Sequence, residues 1–206
     1  YADFLRFHKE KGAEFSVAVM EVDWKEASRF GLMVADEDDR ITEFQEKPPV
    51  PKSNLASMGI YIFNWDILKK YLEEDEADPN SKNDFGMNII PALLRDGRKM
   101  YAYHFNGYWR DVGTIDSLWE ANMEVLDPEN SGIDIFDKKW KIYSRNPVLP
   151  PQKIGPRAVV QDSLVTEGCK IYGNVKHSVL SAGVVVEEGA TVEDAVLMDG
   201  VVVQAG

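Results

Sequence analysis

The chain has 206 residues, and its 44% hydrophobic and 28% charged content excludes wholesale disorder and collagen-like repeats. Lysine and arginine number 23 against 35 acidic residues, so the formal net charge of -12 argues against a general nucleic-acid binder, because phosphate backbones are held by basic surface. The single cysteine, Cys169, allows no internal disulfide and indicates a reducing compartment, and no apolar run has the length of a membrane span.

Residues 1–128 mix helix and strand patterns. The predicted order is helix 2–11, strands 15–20, 30–35, 40–44 and 56–63, helices 65–72 and 84–95, strand 100–105 and helix 116–125. The strand over 15–20 is apolar almost throughout, as is typical of a buried central strand. Strands 30–35 and 40–44 flank the acidic turn 36–39 and predict a hairpin, and Pro91 is expected to kink its helix. Strands separated by helices predict an α/β layered fold.

The segment 129–152 differs in composition and periodicity from the residues that precede it. It has little periodicity and contains Pro147, Pro150 and Pro151. This composition predicts a linker between a first domain over 1–128 and a second over 153–206.

From Lys153 onward the sequence repeats itself. Residues 162–165 match 177–180 and 194–197, at offsets of 15 and 17 residues, and a second family of glycine-containing matches has the same offsets. Short aliphatic strands with glycine turns at this period favour a coil completed by about three strands per turn. The alternative is an antiparallel β-meander, which also has short strands.

Glu46, Lys47 and Pro48 directly follow the strand that ends at Gln45. The ends of strands are where α/β folds place ligands. The lysine offers a point charge for a phosphate, and the glutamate offers acceptors for sugar hydroxyls. The alternative is an ordinary solvated pair of surface charges.

Ser57 and Gly59 interrupt an otherwise regular strand, which indicates either close approach of a ligand or a β-bulge. Gly31 similarly either admits a ligand to the backbone or serves a turn. Asp84 precedes a predicted helix, where a capping role is favoured.

The most distinctive segment runs from Tyr108 to Thr114. It concentrates an aromatic side chain, a cation, a carboxylate and a glycine before a predicted helix. Asp111 is a candidate Mg²⁺ ligand, since Mg²⁺ prefers one or two carboxylates together with substrate phosphate oxygens. Trp109 is a candidate wall of a sugar pocket. The alternative makes Trp109 a core residue and Arg110 and Asp111 a local ion pair.

Taken together and in order, these segments resemble the bacterial glucose-1-phosphate adenylyltransferases, also called ADP-glucose pyrophosphorylases. The matching stretches are Glu26–Gly31, Glu43–Pro48, Leu55–Phe63, Asp84–Gly86, Tyr108–Thr114 and Trp119–Asn122. The tail resembles the hexapeptide repeats of left-handed β-helices. The resemblance implies the C-terminal part of a Rossmann-like nucleotidyltransferase domain, followed by the start of a left-handed parallel β-helix.

The resemblance also implies an activity. Members of this family join ATP and α-glucose 1-phosphate to give ADP-glucose and pyrophosphate with Mg²⁺, and ADP-glucose feeds glycogen synthesis. Residues that contact glucose 1-phosphate in the family correspond to Gly31, Glu46, Lys47 and Ser57. Residues that line or support that pocket correspond to Tyr61, Asp84, Phe85 and Trp109. Asp111 corresponds to one of two metal-binding aspartates and is the catalytic residue expected in this chain.

Two departures accompany the resemblance. The family's glycine-rich nucleotide loop, catalytic arginine and lysine and first metal aspartate lie upstream of Tyr1, so we expect a fragment that is inactive alone. A Phe-Gly-Lys-Asp stretch of many members is Phe85-Gly86-Met87-Asn88 here, so no charged role is expected at Met87 and Asn88. We expect a cytoplasmic homo-oligomer, or a hetero-oligomer with a paralogous subunit. The alternatives are a non-catalytic regulatory paralogue and an enzyme using another nucleotide.

Overall fold

The computed structural model of the protein describes residues 1–139, 141 and 147–206. The chain forms two compact units, Tyr1–Asn106 and Gly107–Gly206. Part of the predicted linker, at positions 140 and 142–146, lies outside the described residues, and the linker boundaries stay a prediction. In the described part of the chain no helix is long and apolar enough to cross a membrane.

The first unit is built on one five-stranded mixed sheet. Its elements are α1 (Ala2–Glu10), β1 (Phe15–Glu21), β2 (Gly31–Ala35), β3 (Ile41–Glu46), β4 (Leu55–Phe63), α2 (Trp65–Ala77), a π-helix (Phe85–Ile89), α3 (Ile90–Arg95) and β5 (Met100–His104). The strand order is β3-β2-β4-β1-β5, with β1 parallel to β5 and antiparallel to β4. The predicted alternation of strands and helices is therefore confirmed, and the helix predicted over 65–72 extends further, to Ala77.

Strand β1 forms the centre of the apolar core. Phe15, Val17 and Val19 are fully buried on one face and Ser16 and Ala18 are buried on the other, as expected of a strand that is covered on both faces of its sheet. They pack in one cluster with residues of β2, β3, β5 and the helical segment between Phe85 and Arg95. The predicted hairpin of β2 and β3 is antiparallel, and the Asp36 carboxylate accepts hydrogen bonds from the backbone N–H groups of Asp38 and Arg40 in its turn.

The segment predicted as one helix over 84–95 divides into two kinds of helix. Phe85–Ile89 is a π-helix, and Ile90–Arg95 is an α-helix with Pro91 in its first turn. Proline has no N–H group, so the backbone here lacks the usual α-helical hydrogen bond from position 91. The wider π-turn directly before it is the local consequence. Instead of a kink within one α-helix, Pro91 marks the change from one kind of helix to the other.

The second unit contains two short helices and a parallel β-solenoid. The helices are α4 (Ile115–Glu124) and α5 (Pro128–Ser131). The solenoid strands are β6 (Lys153–Ile154), β7 (Val159–Gln161), β8 (Leu164–Val165), β9 (Lys170–Ile171), β10 (Asn174–Lys176), β11 (Val179–Leu180), β12 (Val185–Val186), β13 (Thr191–Glu193), β14 (Val196–Leu197) and β15 (Val202–Val203). They form three sheets, in the orders β13-β10-β7, β14-β11-β8 and β15-β12-β9-β6.

Every pairing among these solenoid strands is parallel, which excludes the antiparallel meander. Val179 lies opposite Leu164 on one side and Val196 on the other, so the predicted offsets of 15 and 17 residues are the register of the coil. Cys169 is buried in the apolar interior of the coil.

The two offsets differ because one corner of the solenoid is shorter. Strand β9 ends at Ile171 and β10 begins at Asn174, whereas β12 ends at Val186 and β13 begins only at Thr191. The short corner contains Gly173, where an added Cβ would lie 2.3 Å from the carbonyl oxygen of Ala190. Such a distance is impossible for a real Cβ, so the tight corner requires glycine.

Helix α4 is capped at its start and hydrogen-bonded to the solenoid from its middle. Thr114 and Ser117 form a capping box at its start. Trp119 is partly exposed and donates its indole N–H to the carbonyl oxygen of Asp194 at 2.8 Å. This hydrogen bond joins the helix to the third coil of the solenoid.

Candidate functional site

A polar cavity of about 360 Å³ opens in the first unit. It lies where β2 begins, β3 ends, β4 bulges and the π-helix begins. Its lining residues are Gly31, Phe44, Glu46, Ser57, Gly59, Tyr61, Asn83, Asp84, Phe85 and Gly86. Carboxylates, hydroxyls and aromatic rings therefore surround one small space.

The Glu46 carboxylate is seated between two glycines. A Cβ added to Gly31, its partner across the β2–β3 pair, would lie 3.0 Å from Glu46 Oε2. A Cβ added to Gly86 would lie only 2.7 Å from the same oxygen. Both distances are shorter than ordinary van der Waals contact, so the absence of side chains at these positions makes room for the carboxylate.

Lys47 follows Glu46 and lies beside the cavity rather than in its lining. Its Nζ atom is 3.5 Å from Glu46 Oε1, and 65% of its side chain remains exposed. Its backbone has a φ of +42°, an unusual conformation for a non-glycine residue, and its N–H group donates to the carbonyl oxygen of Phe30. Strained backbone of this kind tends to occur at functional sites.

Strand β4 contributes Ser57, Gly59 and Tyr61 through a β-bulge. Val17 of β1 lies opposite Tyr61 but Val19 lies opposite Ser57, so β4 carries extra residues between them. Gly59 in the bulge has a φ of +69°, and its N–H group donates to Ser57 Oγ at 3.2 Å. Sequence reasoning left a bulge and a ligand-lined position as alternatives, and here the bulge lines the cavity.

One wall of the cavity is aromatic. The rings of Tyr61 and Phe85 are stacked with centroids 5.4 Å apart, and Phe63 packs against both. Burial raises the pKa of Tyr61 above its ordinary value, the charges of Glu46 and Asp84 raise it further, and hydrogen bonding with Ser57 opposes the shift. Tyr61 therefore stays a neutral hydroxyl at physiological pH and can donate a hydrogen bond.

Asp84 has the predicted capping role. Its Oδ1 atom accepts a hydrogen bond from the backbone N–H of Met87 at 2.8 Å, at the start of the π-helix. The same side chain lines the cavity. The cap fixes the orientation of the carboxylate, and its second oxygen has no hydrogen-bond partner among the described residues.

This arrangement suits a ligand that carries many hydroxyl groups. The carboxylates of Glu46 and Asp84 accept hydrogen bonds, and the hydroxyls of Ser57 and Tyr61 both donate and accept them. Two carboxylates repel an anion from the cavity itself, whereas the Lys47 ammonium beside it is a cation.

The segment before helix α4 belongs to the second unit. Tyr108 donates a hydrogen bond to Glu124 at 2.6 Å, and the Arg110 guanidinium forms an ion pair with the same carboxylate. Arg110 is therefore paired with Glu124, and the local Arg110–Asp111 ion pair considered from the sequence is wrong. The Asp111 carboxylate is exposed and has no hydrogen-bond or ion-pair partner within the described residues. Trp109 is partly buried.

Six of the predicted site residues share the cavity, namely Gly31, Glu46, Ser57, Tyr61, Asp84 and Phe85. Lys47 adjoins it through Glu46, and Trp109 and Asp111 lie in the second unit. Sequence reasoning did not select Phe44, Asn83 and Gly86. Phe44 and Gly86 lie next to predicted motifs, and Asn83, with a φ of +52°, directly precedes the capping aspartate. Their position next to a motif or capping residue is the only feature of the sequence that points to these three lining residues.

No group of three or more histidine, cysteine, aspartate or glutamate side chains within the described residues is arranged to hold a metal ion. A divalent ion held by one carboxylate of this chain needs other ligands, and substrate phosphate oxygens are the usual ones for Mg²⁺. As an exposed carboxylate without a partner among the described residues, Asp111 fits that kind of shared site.

The sequence of the chain matches two known families, one over each part of the fold. The family described as Nucleotidyl transferase matches residues 1–128, and the GlmU-like C-terminal hexapeptide family matches residues 150–206. The chain belongs to the nucleotidyl transferase family.

The chain is also similar to individual curated proteins. The chain is 57% identical over 201 residues to the glucose-1-phosphate adenylyltransferase of Desulforamulus reducens, a match that covers 98% of this chain and 50% of that protein. It is also 57% identical over 200 residues to the enzyme of the same name from Bacillus cereus, covering 97% of this chain and 53% of that protein. The chain thus spans about half the length of the curated relatives it matches.

Proposed function

We propose that this chain carries the sugar-phosphate half of a glucose-1-phosphate adenylyltransferase, which converts ATP and α-D-glucose 1-phosphate to ADP-glucose and pyrophosphate for glycogen synthesis. The observation that carries the proposal is the cavity that gathers Glu46, Ser57, Tyr61 and Asp84 beside Lys47. The names of the relatives support the same activity.

The cavity supports recognition of the glucose ring. Glu46 accepts hydrogen bonds from sugar hydroxyls, and Ser57 and Tyr61 supply hydroxyls that donate and accept. Phe85, stacked on Tyr61, gives the ring an apolar surface. Gly31 leaves room for the ligand and for the Glu46 carboxylate together.

The phosphate of the sugar is assigned to Lys47. Its ammonium group is largely exposed and is paired only loosely with Glu46, so it can turn to an incoming dianion. On a chain with a net charge of -12, a local cation is needed to hold such a ligand.

We assign Trp109 and Asp111 to the same reaction. Trp109 supports the sugar pocket, and Asp111 is one of two carboxylate ligands of a Mg²⁺ ion that also binds substrate phosphates. The other carboxylate belongs to the part that the family has upstream of Tyr1. When bound, that ion neutralises phosphate charge and draws electron density from the phosphorus that is attacked. Asp111 contributes by holding its carboxylate toward the phosphates, and little covalent chemistry is required of the protein.

The reaction is an in-line attack of the sugar phosphate oxygen on the α-phosphorus of ATP. The new phosphoanhydride bond forms as the bond to pyrophosphate breaks, and pyrophosphate leaves with that electron pair. We propose that ATP binds through the part of the protein that the family has upstream of Tyr1.

We also propose a domain organisation and an assembly for the protein. Residues 1–128 form the sugar-phosphate part of the transferase domain, residues 129–152 a linker and residues 153–206 the start of a β-helix domain. The protein assembles as a homo-oligomer, or with a paralogous subunit, and acts in the cytoplasm.

The test uses the complete protein with glucose 1-phosphate, Mg²⁺ and either ATP, UTP or dTTP, followed by identification of the nucleotide sugar. The expected result is ADP-glucose and an equal amount of pyrophosphate. UDP-glucose or dTDP-glucose as the main product would assign another nucleotide, and no product with any of the three would favour a non-catalytic paralogue.

A matched pair of variants ties the activity to the cavity. Glu46→Gln should raise the KM for glucose 1-phosphate, because a hydroxyl acceptor in the cavity loses its charge. Glu43→Gln is the control, since Glu43 lies on the same strand but pairs with Lys52 at 2.8 Å and is not part of the lining. Equal effects of the two substitutions would contradict the assignment.

A further inference from the structure

Glu124 is the last residue of helix α4 and holds two residues of the preceding segment. Its Oε2 atom accepts a hydrogen bond from the Tyr108 hydroxyl at 2.6 Å. Arg110 Nε donates to the two carboxylate oxygens at 3.0 and 3.1 Å, and a terminal guanidinium nitrogen of Arg110 completes the ion pair. Multiple charge-assisted hydrogen bonds of this kind are geometrically specific.

The opposite end of α4 holds the same segment a second time. Thr114 caps the helix through its reciprocal hydrogen bonds with Ser117. The helix runs from Ile115 to Glu124, so its two ends are about 15 Å apart at the usual rise per residue. The segment 108–114 is therefore attached to α4 at both ends of the helix.

The residues held by Glu124 alternate with the residues assigned to the reaction. Tyr108 and Arg110 contact Glu124, whereas Trp109 and Asp111 are the proposed sugar-pocket and metal-binding residues. We propose that Glu124 is a positioning residue that sets the orientation of Trp109 and Asp111 through Tyr108 and Arg110, an inference that rests on the proposed function.

We call the hydrogen-bonded set of Glu124, Tyr108 and Arg110 the clamp. Its charges are consistent with a permanent rather than a switching role. The hydrogen bond from Arg110 lowers the pKa of Glu124, so the carboxylate is ionised at neutral pH. Burial raises the pKa of Tyr108 to about 12, so its hydroxyl keeps the proton that it donates. By occupying Arg110, Glu124 also keeps a cation away from the Asp111 carboxylate, which leaves that charge for a metal ion.

The structural part of the proposal, which is the attachment of the segment 108–114 to α4 through Glu124, is tested by amide hydrogen exchange of the complete protein. Glu124→Ala should speed exchange across residues 107–113 by about tenfold or more, because the segment loses its attachment to the end of α4. Glu120→Ala is the matched control, since Glu120 lies one turn earlier on the same helix, is 52% exposed and approaches Arg110 only to 4.0 Å. Unchanged exchange in Glu124→Ala, or equal changes in both variants, would overturn the clamp.

The functional part is tested by steady-state kinetics of the same proteins. Glu124→Ala should lower kcat by about tenfold to a hundredfold, the range expected from losing charge-assisted positioning, and should raise the Mg²⁺ concentration required for half-maximal rate. Glu124→Gln, whose amide oxygen still accepts hydrogen bonds, should recover part of the loss, while Glu120→Ala should behave as wild type.

A lower melting temperature with unchanged kcat and Mg²⁺ requirement would show that Glu124 is only structural and would overturn the proposal. If Glu124→Ala fails to fold, Tyr108→Phe and Glu124→Gln decide the question by the same measurements. A wild-type protein that forms no nucleotide sugar would overturn the proposed function and the positioning role with it, while the exchange experiment would still decide whether the clamp exists.

Discussion

Replacing Gly86 with alanine should damage the candidate site without unfolding the protein. The new Cβ would lie 2.7 Å from Glu46 Oε2, 3.3 Å from Asp84 Oδ1 and 3.4 Å from Glu46 Cδ. Gly86 does not have a left-handed backbone in the structure, so alanine is compatible with its backbone conformation. The strain therefore falls on the Glu46 carboxylate, which belongs to a side chain and can move.

The size of the movement follows from the contact distance. An ordinary contact of carbon with oxygen is about 3.4 Å, so the carboxylate must retreat by roughly 0.7 Å. Misplacement of a binding group by about 1 Å can cost up to about a hundredfold in enzyme efficiency. We expect the KM for glucose 1-phosphate to rise by about tenfold to a hundredfold, with a much smaller change in the KM for ATP.

The assay is steady-state pyrophosphate release by the complete protein at varied glucose 1-phosphate. Met87→Ala is the control, because Met87 occupies the next position of the same π-helix and is 59% exposed. Glu46→Asp in the Gly86→Ala background shortens the crowded side chain. The KM for glucose 1-phosphate of this double variant should therefore rise by less than the product of the increases in the two single variants. If Gly86→Ala folds like the wild type and its KM for glucose 1-phosphate is unchanged, the close packing of the Glu46 carboxylate against Gly31 and Gly86 is wrong.

Other substitutions test the roles of the phosphate cation, the metal carboxylate, the tight solenoid corner and the buried tyrosine. Lys47→Ala should raise the KM for glucose 1-phosphate by roughly tenfold to a hundredfold and the KM for ATP far less, and equal effects on both would point to general misfolding. Asp111→Asn should lower kcat much more than thermal stability, whereas earlier melting with normal kcat would make Asp111 structural. Gly173→Ala should lower the free energy of unfolding in urea by about 3 kcal/mol, because the added Cβ meets the backbone oxygen of Ala190, and wild-type stability would contradict the tight corner. Burial raises the pKa of Tyr108 from 10.0 to about 12, so the folded state binds this proton more tightly than the unfolded chain does. Its stabilisation is therefore complete below pH 10 and is lost as the pH rises toward 12, and Tyr108→Phe should flatten stability over that window.

Local pattern predicted most of the fold. The apolar run from Phe15 identified the central strand because a strand buried on both faces has no polar side. The offsets of 15 and 17 residues identified the solenoid because equivalent positions of successive coils lie opposite each other in parallel register. The helix break at Ile90 was missed, since the π-turn depends on how Pro91 meets the preceding residues rather than on apolar spacing.

The cavity brings together candidate residues that belong to compact motifs, such as Glu46 and Ser57. The sequence carries no comparable pattern for residues that act through tertiary proximity. Gly86 matters because it approaches Glu46, and Glu124 matters because it approaches Tyr108. Neither approach leaves a spacing signal in the sequence, so the role of such residues emerges only from the folded structure.

The proposed function requires the cavity of the first unit to hold the glucose ring. A crystal structure of the complete protein with ADP-glucose and Mg²⁺ would show where this ring binds. We expect sugar hydroxyls within hydrogen-bond distance of the Glu46 carboxylate, the ring beside Phe85 and the sugar phosphate near Lys47. A glucose ring bound elsewhere, or the adenine ring in this cavity, would contradict it.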